Sequence, residues 1–250
     1  MTANLEVIDL VKNFGGLKAL SEFSFTVEPG KILGVIGPNG AGKTTMFNCI
    51  TGFLKFDSGS IRISGKDIGG KKPHEIVNLG LTRTWQLVKP FFGMHVIDAL
   101  RVSSYCRRSR STAKNPEEVE ARITGIAEAL GLLERLNEDV DNLNQGELRL
   151  LDIARAMVTN PQILLLDEPF SGLSYREIQN ISKIVKELNQ KGLTLVIIEH
   201  RLRELMKLVD KVAVMNFGIK IAEGPPARIV QNPAVIEAYL GTKGAEVGLA

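Results

Sequence analysis

From Phe23 to Glu28 the chain alternates, with Phe23, Phe25 and Val27 apolar and Ser24, Thr26 and Glu28 polar, before a Pro29-Gly30 turn. A period of two buries one face and wets the other, so this stretch predicts a half-buried strand. Ile32 to Ile36 follows a different rule, being apolar throughout except for Gly34. That pattern predicts a strand covered on both faces. A Gly-rich turn follows, then a helical stretch from Lys43 to about Thr51, with Gly52 placed to end it. The first third of the chain therefore reads as rich in β structure.

From about Lys89 to Asn160 the periodicity becomes helical. Asn115 is a cap candidate, Pro116 suits the first turn, acids follow, and Val119, Ile123, Ile126, Leu130 and Leu133 recur every three or four residues. This predicts one amphipathic helix running to Leu133. Strand and helix signals then alternate: a strand from Ile163 to Leu166, a helix from about Arg176 to Asn189, and a strand from Leu193 to Ile198. A helix around Leu202 to Leu208 and a hairpin-like stretch over residues 211–224 complete the series. Apolar strands alternating with helices argue for an α/β fold with a mainly parallel sheet covered on both faces. No internal repeat is present, and residues 241–250, GTKGAEVGLA, are small and polar enough to form a loosely held tail.

Composition narrows the classes. A length of 250 residues suits one large domain with room for an inserted part. A net charge of only +3 calls for neither nucleic acid nor an anionic membrane surface, so no nucleic-acid partner is expected. The basic run Cys106–Lys114 reads as a solvated loop. Cys49 and Cys106 offer no disulfide framework and no metal-ligand spacing, which suits a reducing compartment and two ordinary thiols. The first ten residues lack the basic-then-apolar pattern of a secretory signal, and no apolar run approaches the roughly 20 residues that span a bilayer. Direct membrane insertion is not expected; any membrane role must come through partners.

Candidate chemistry starts at Gly37. GPNGAGKT matches G-x-x-x-x-G-K-[ST] in full, between a buried strand and a helix, the context the motif requires. Gly37, Pro38, Asn39, Gly40, Ala41 and Gly42 form a loop whose backbone can wrap phosphate oxygens, with N–H groups and a helix N-terminus pointing inward. Lys43 should reach the β and γ phosphates and the Thr44 hydroxyl should ligate Mg²⁺, with Thr45 beside them. Such a loop needs a second carboxylate on the metal side, and ILLLDEP supplies it. Asp167 emerges at the end of an apolar strand, where it would hold Mg²⁺, and Glu168 can polarise an attacking water as general base. ATP and Mg²⁺ are the cofactors these motifs call for.

Over nearly its whole length the chain resembles the nucleotide-binding subunits of ATP-binding cassette transporters. The resemblance rests on Phe14 in NFGGLKAL, the phosphate loop, Gln86 in RTWQLVKP, LNQGE at Leu143–Glu147, ILLLDEP, SGLS at Ser171–Ser174 and IIEHR with His200, in that order. NFGGLKAL, VIIEHRL and NPAVIEAYLG look most like the branch that takes up branched-chain amino acids. The resemblance implies a P-loop core formed by residues 1–85 and 161–250, with an antiparallel β part at its N-terminal end. It also implies an inserted helical part over residues 86–160, all within one cassette domain.

The same resemblance assigns roles. It places Phe14 on the adenine, although the ring fits a core position equally well; as a stacking surface it favours a purine without selecting adenine. Gln86 would contact Mg²⁺ or the attacking water and His200 the γ-phosphate, which makes Glu168, His200 and Gln86 the catalytic set. LNQGE stands where the family's signature is usually written LSGGQ, with Asn144 for serine, Gln145 for the first glycine and Glu147 for glutamine, while Gly146 is retained. Leu148, Leu151, Met157 and Val158 give the following segment an apolar helical face, so Asn144 falls near a helix N-terminus, suited to phosphate and to capping. Asn144, Gly146 and Glu147 would therefore contact the nucleotide of a second cassette, identical or distinct, in a working but altered form.

Phe91, Phe92 and Met94 are placed either to receive an integral membrane permease or to pack a core. The implied protein is an ATP-hydrolysing subunit on the cytoplasmic face of a cell membrane. The competing readings are a soluble cassette acting on ribosomes or DNA, a regulatory cassette that barely hydrolyses, and an importer cassette for urea, a lipid conjugate or another amino acid.

Overall fold

The computed structural model describes residues 3–240; the predicted tail over residues 241–250 lies outside the described residues. The chain begins with strands β1 (Leu5–Phe14), β2 (Leu17–Val27) and β3 (Ile32–Ile36), followed by helix α1 (Lys43–Ile50). Strands β4 (Ser58–Ile63) and β5 (Lys66–Asp67), helix α2 (Pro73–Asn78) and strand β6 (Leu81–Arg83) come next. Four helices then run in series: α3 (Val96–Ser104), α4 (Arg107–Ser111), α5 (Pro116–Ala129) and α6 (Gln145–Val158). The rest is β7 (Ile163–Asp167), α7 (Tyr175–Gln190), β8 (Thr194–Ile198), α8 (Leu202–Leu205), β9 (Lys211–Asn216), β10 (Ile219–Gly224), α9 (Pro226–Ile229) and α10 (Pro233–Leu240).

Two sheets form. β2-β1-β4-β5 is antiparallel, and the second sheet runs β10-β9-β3-β8-β7-β6. In the second sheet every neighbouring pair from β9 to β6 is parallel and only the edge strand β10 is antiparallel, as the strand–helix alternation predicts. All five residues of β3, β7 and β8 are buried. Successive residues feed opposite cores. Leu33, Val35, Leu165 and Val196 join Phe23, Phe25, Met46 and Phe47 on the side of α1 and the antiparallel sheet. Ile32, Ile36, Leu164, Leu166 and Ile197 join Ile123, Ile153, Ile178 and Ile181 on the side of α5, α6 and α7. Period two on a doubly covered strand thus yields three layers.

Three local expectations are corrected. The amphipathic helix ends at Ala129 and does not reach Leu133, because Gly131 turns with φ 71°, and Leu133 is 42% exposed while Leu132 is buried. The Asn115 cap itself is present, accepting a hydrogen bond from the Glu118 N–H. The helix after β8 stops at Leu205, short of Leu208. The run Cys106–Lys114 is not a solvated loop: it contains α4, with Ser109 buried. Arg108 Nε donates to the Asn160 carbonyl at 2.6 Å, and the guanidinium lies so close to Gly80 that a Cβ there would sit 2.8 Å from its central carbon. Partners 28 and more residues away claim this arginine, and a local count of charges cannot register them.

Candidate functional site

The sheet order places β3, β8, β7 and β6 side by side, so the segments leaving their carboxyl ends meet at one edge. Open parallel sheets bind ligands there. β3 leads into the phosphate loop, whose glycines are demanded by space: a Cβ on Gly37 would lie 2.0 Å from the Met215 carbonyl oxygen, and one on Gly42, with φ 109°, 2.5 Å from that of Ala19. No side chain caps α1, so its N-terminus is open to an anion. Lys43 Nζ is buried and donates to the carbonyls of Gly37 at 2.7 Å and Pro38 at 2.9 Å. Burial brings its pKa down to about 8, against the opposing pull of Glu168 and Asp167. Thr44 is exposed and Thr45 half-buried beside it.

β7 carries Asp167 at its last position, with the side chain 1% exposed. Arg83, the last residue of β6, donates from Nη2 to Asp167 Oδ2 at 2.7 Å, leaving Oδ1 buried with no hydrogen-bond partner. Burial raises the carboxyl above its ordinary range while Arg83 draws it back. A buried carboxylate oxygen left without a hydrogen-bond partner is the kind of hard oxygen donor that suits a divalent cation such as Mg²⁺.

Glu168 adopts a left-handed backbone, φ 48°, a conformation that costs a side-chain-bearing residue about 1–3 kcal/mol and recurs at working sites. Its carboxylate is held from two sides: Gln86 Nε2 donates to Oε2 at 3.0 Å, and His200 Nε2 lies 3.1 Å from Oε1. The three residues read as the catalytic set come from the ends of β6, β7 and β8 and are in direct contact. Burial and the Lys43 charge hold the His200 imidazole below its usual pKa, so the neutral ring offers its Nε2–H to Glu168.

A single cavity of about 370 Å³ is lined by Lys43 and Thr44, by Glu168, His200 and Gln86, and by Phe14, Leu17 and Phe217. Phe14 is 49% exposed, which rules out the core position. Asn144, Gly146 and Glu147 stand elsewhere, at the start of α6. Asn144 is the N-cap, accepting from Glu147 N–H at 3.0 Å, and Glu147 returns the bond from the Asn144 N–H at 2.9 Å while also receiving Arg135 at 3.0 Å. Gly146 is buried against α7, where a Cβ would come 2.5 Å from Glu177 Oε1.

Several residues that position this site escape sequence reading. Glu199 is 2% exposed and accepts three backbone N–H groups, from Phe170, His200 and Arg201, tying the segment after β7 to the segment after β8. Its signal was a carboxylate directly after an apolar strand, the same pattern as Asp167. From α6, Arg149 donates to the carbonyls of Trp85 and Gln86, Asp152 accepts the Trp85 N–H, and Arg155 donates to the Lys89 carbonyl. Charges three apart on an otherwise buried helical face were the sign of this clamp. Phe91 takes Arg155 over its ring at 4.1 Å, whereas Phe92 and Met94 are exposed.

A glycine-rich loop after β3 and paired acids at the end of β7, with β8 between the two strands in one parallel sheet, define a P-loop nucleotide-binding protein. The chain belongs to the ABC transporter family, whose sequence pattern matches residues 20–171. A second pattern, that of the branched-chain amino acid ATP-binding cassette transporter, matches residues 220–245. The chain is similar to the high-affinity branched-chain amino acid transport ATP-binding protein LivG of Escherichia coli (strain K12), with 39% identity over 95% of this chain and 97% of the relative. It is also similar to the probable branched-chain amino acid transport ATP-binding protein LivG of Archaeoglobus fulgidus, with 39% identity over 97% of each. A solved ATP-binding cassette of an ABC transporter in its ADP conformation is 36% identical, with a TM-score of 0.87 over 96% of this chain and 100% of that chain.

Proposed function

We propose that this chain is the ATP-hydrolysing subunit of a membrane importer for branched-chain amino acids, working in pairs at the cytoplasmic face. The observation that carries the reading is the Glu168 carboxylate held between Gln86 and His200, beside Lys43 and the free Asp167 Oδ1. The cargo is drawn from the names of the relatives above, because a cassette touches nucleotide and permease and not the transported molecule. Among the described residues no helix is long and apolar enough to cross a membrane, and in this reading the membrane-spanning part is supplied by permease subunits.

In this mechanism the loop Gly37–Thr44 cradles the phosphates, with Lys43 turning from the Gly37 and Pro38 carbonyls toward them. Asp167 Oδ1, the Thr44 hydroxyl and the Gln86 side-chain amide oxygen would hold Mg²⁺, which would supply charge stabilisation of the phosphate oxygens. Glu168 accepts the proton of the attacking water, and Gln86 and His200 keep its carboxylate in place. Asn144 and Gly146 stand apart from the cavity and serve the nucleotide of the paired cassette. ATP binding energy then enters as preference for the closed pair, and closure passes to the permease.

Glu168→Gln should lower hydrolysis by about a hundredfold or more while ATP binding persists. Turnover near that of the unaltered chain would refute the assignment of the base. Lys43→Ala should abolish tight nucleotide binding or turnover. Affinity purification from solubilised membranes should recover an integral membrane partner, and recovery of none would sink the importer reading.

A further inference from the structure

The β9–β10 hairpin turns on two residues, Phe217 and Gly218, with φ 45° and 76° between the paired residues Asn216 and Ile219. Two central residues with positive φ make a type I′ turn, for which Asn-Gly is the favoured pair. Phenylalanine is a poor choice here: an aromatic residue in the left-handed region is strained, and burial does not compensate, because Phe217 is 76% exposed. The turn is nevertheless held firmly. The Gly218 N–H donates to the Ala41 carbonyl of the phosphate loop at 2.8 Å, and the Gly218 carbonyl accepts from the Ser21 N–H at 2.9 Å. A Cβ on Gly218 would lie 2.7 Å from the Ala19 oxygen, so the turn is seated against β2 and the phosphate loop with no room to slide.

This exposed ring lines the same cavity as Phe14 and Leu17, themselves 49% and 67% exposed. The cavity is divided by chemistry. Lys43, Thr44 and the loop residues from Gly40 to Gly42 make up one part of its lining, and three solvent-facing apolar side chains make up another. The ammonium of Lys12, held by Asp57 at 3.2 Å, lies 5.4 Å from the centroid of the Phe14 ring, so that ring already has one neighbour fixed in place. A ligand with a polyanionic tail and a flat apolar head matches both parts.

We propose that Phe217 is a second aromatic contact for the purine base of the bound nucleotide, closing with Phe14 and Leu17 an apolar enclosure around it. This rests on the reading of residues 37–44 as the phosphate site. The ligand class is a purine nucleoside di- or triphosphate. The enclosure gives affinity through stacking and area, and the cost of the strained turn is met only when the base is present.

The test is Phe217→Asn, which removes the ring and installs the residue the turn prefers, with Phe217→Tyr as the conservative variant. Calorimetric titration with ADP and with inorganic tripolyphosphate separates the two parts of the cavity. The proposal expects ADP affinity to fall by about tenfold in Phe217→Asn, the loss of one aromatic–base stack, with tripolyphosphate affinity and melting temperature not reduced. Phe217→Tyr should restore ADP binding. ADP affinity within about twofold of the unaltered chain overturns it. So does an equal loss for ADP and tripolyphosphate, or unchanged ADP binding with weakened ATP-driven pairing, which would assign the ring to a protein contact. Failure of the phosphate-site reading looks different: Lys43→Ala would then leave both affinities intact.

Discussion

Arg83→Met isolates the ion pair on which the metal-side carboxylate depends. The Arg83 and Asp167 side chains are 4% and 1% exposed and 2.7 Å apart, so removing the guanidinium strands a buried carboxylate without its hydrogen-bonded counter-charge and leaves only the more distant pull of Arg149 and Lys43. Breaking a buried pair from one side costs about 3–5 kcal/mol, a large share of the roughly 5–15 kcal/mol that holds a domain folded. Arg83 also donates to Asn48 Oδ1 at 2.7 Å and lies over Trp85 at 4.2 Å and Phe47 at 5.6 Å, contacts that methionine replaces only in part. Equilibrium unfolding in urea measures the loss directly. Asp167→Asn in the Arg83→Met background removes the stranded charge and should return about half of the deficit, since the stacking and Asn48 contacts stay lost. A deficit below about 1 kcal/mol in Arg83→Met, or no recovery in the double variant, would refute the reasoning.

Asn144→Ala should cost about 0.5–2 kcal/mol through loss of the α6 cap, read as a lower melting temperature, whereas Asn144→Asp keeps the acceptor and should hold stability near the original. Unchanged melting in the alanine variant would remove the cap from the account. Glu199→Gln replaces two acceptor oxygens by one opposite three N–H donors, so about 1–3 kcal/mol should be lost, and displacement of His200 should lower kcat more than ADP affinity. Thiol labelling of the folded protein should reach Cys106 and spare Cys49, which is buried with its pKa pushed up to about 11; equal labelling rates below about pH 10 would contradict that burial.

Much of the site was legible because its motifs are local. The phosphate loop reads from Gly37 to Thr44 as one contiguous string, and Asp167 and Glu168 follow an apolar strand whose end announces them. Glu199 carries the same mark, directly after the apolar run of β8, but its set of three N–H partners is complete only once the segments after β7 and β8 are brought together. Arg83 was hidden for a different reason: an arginine closing a three-residue strand looks like an exposed strand end until β7 is laid beside β6. Arg149, Asp152 and Arg155 were hidden in the same way, since their partners, the Trp85, Gln86 and Lys89 backbone groups, are more than 60 residues away.

The order of apolar strands and helices, the doubly buried β3, β7 and β8, the phosphate loop and the helix cap at Asn144 follow from the sequence alone, because each depends on the chemistry of neighbours within a turn or a strand. Which strands lie side by side, that Phe14 faces solvent, that a basic run folds as α4, and that Gln86 and His200 close on Glu168 were decided by tertiary structure. The closing of Gln86 and His200 on Glu168 depends on the sheet order β9-β3-β8-β7-β6, which pairs strands as far apart in the chain as Leu33 and Lys211. Periodicity states which face of a strand is buried, but contains nothing about which strand will cover its edge.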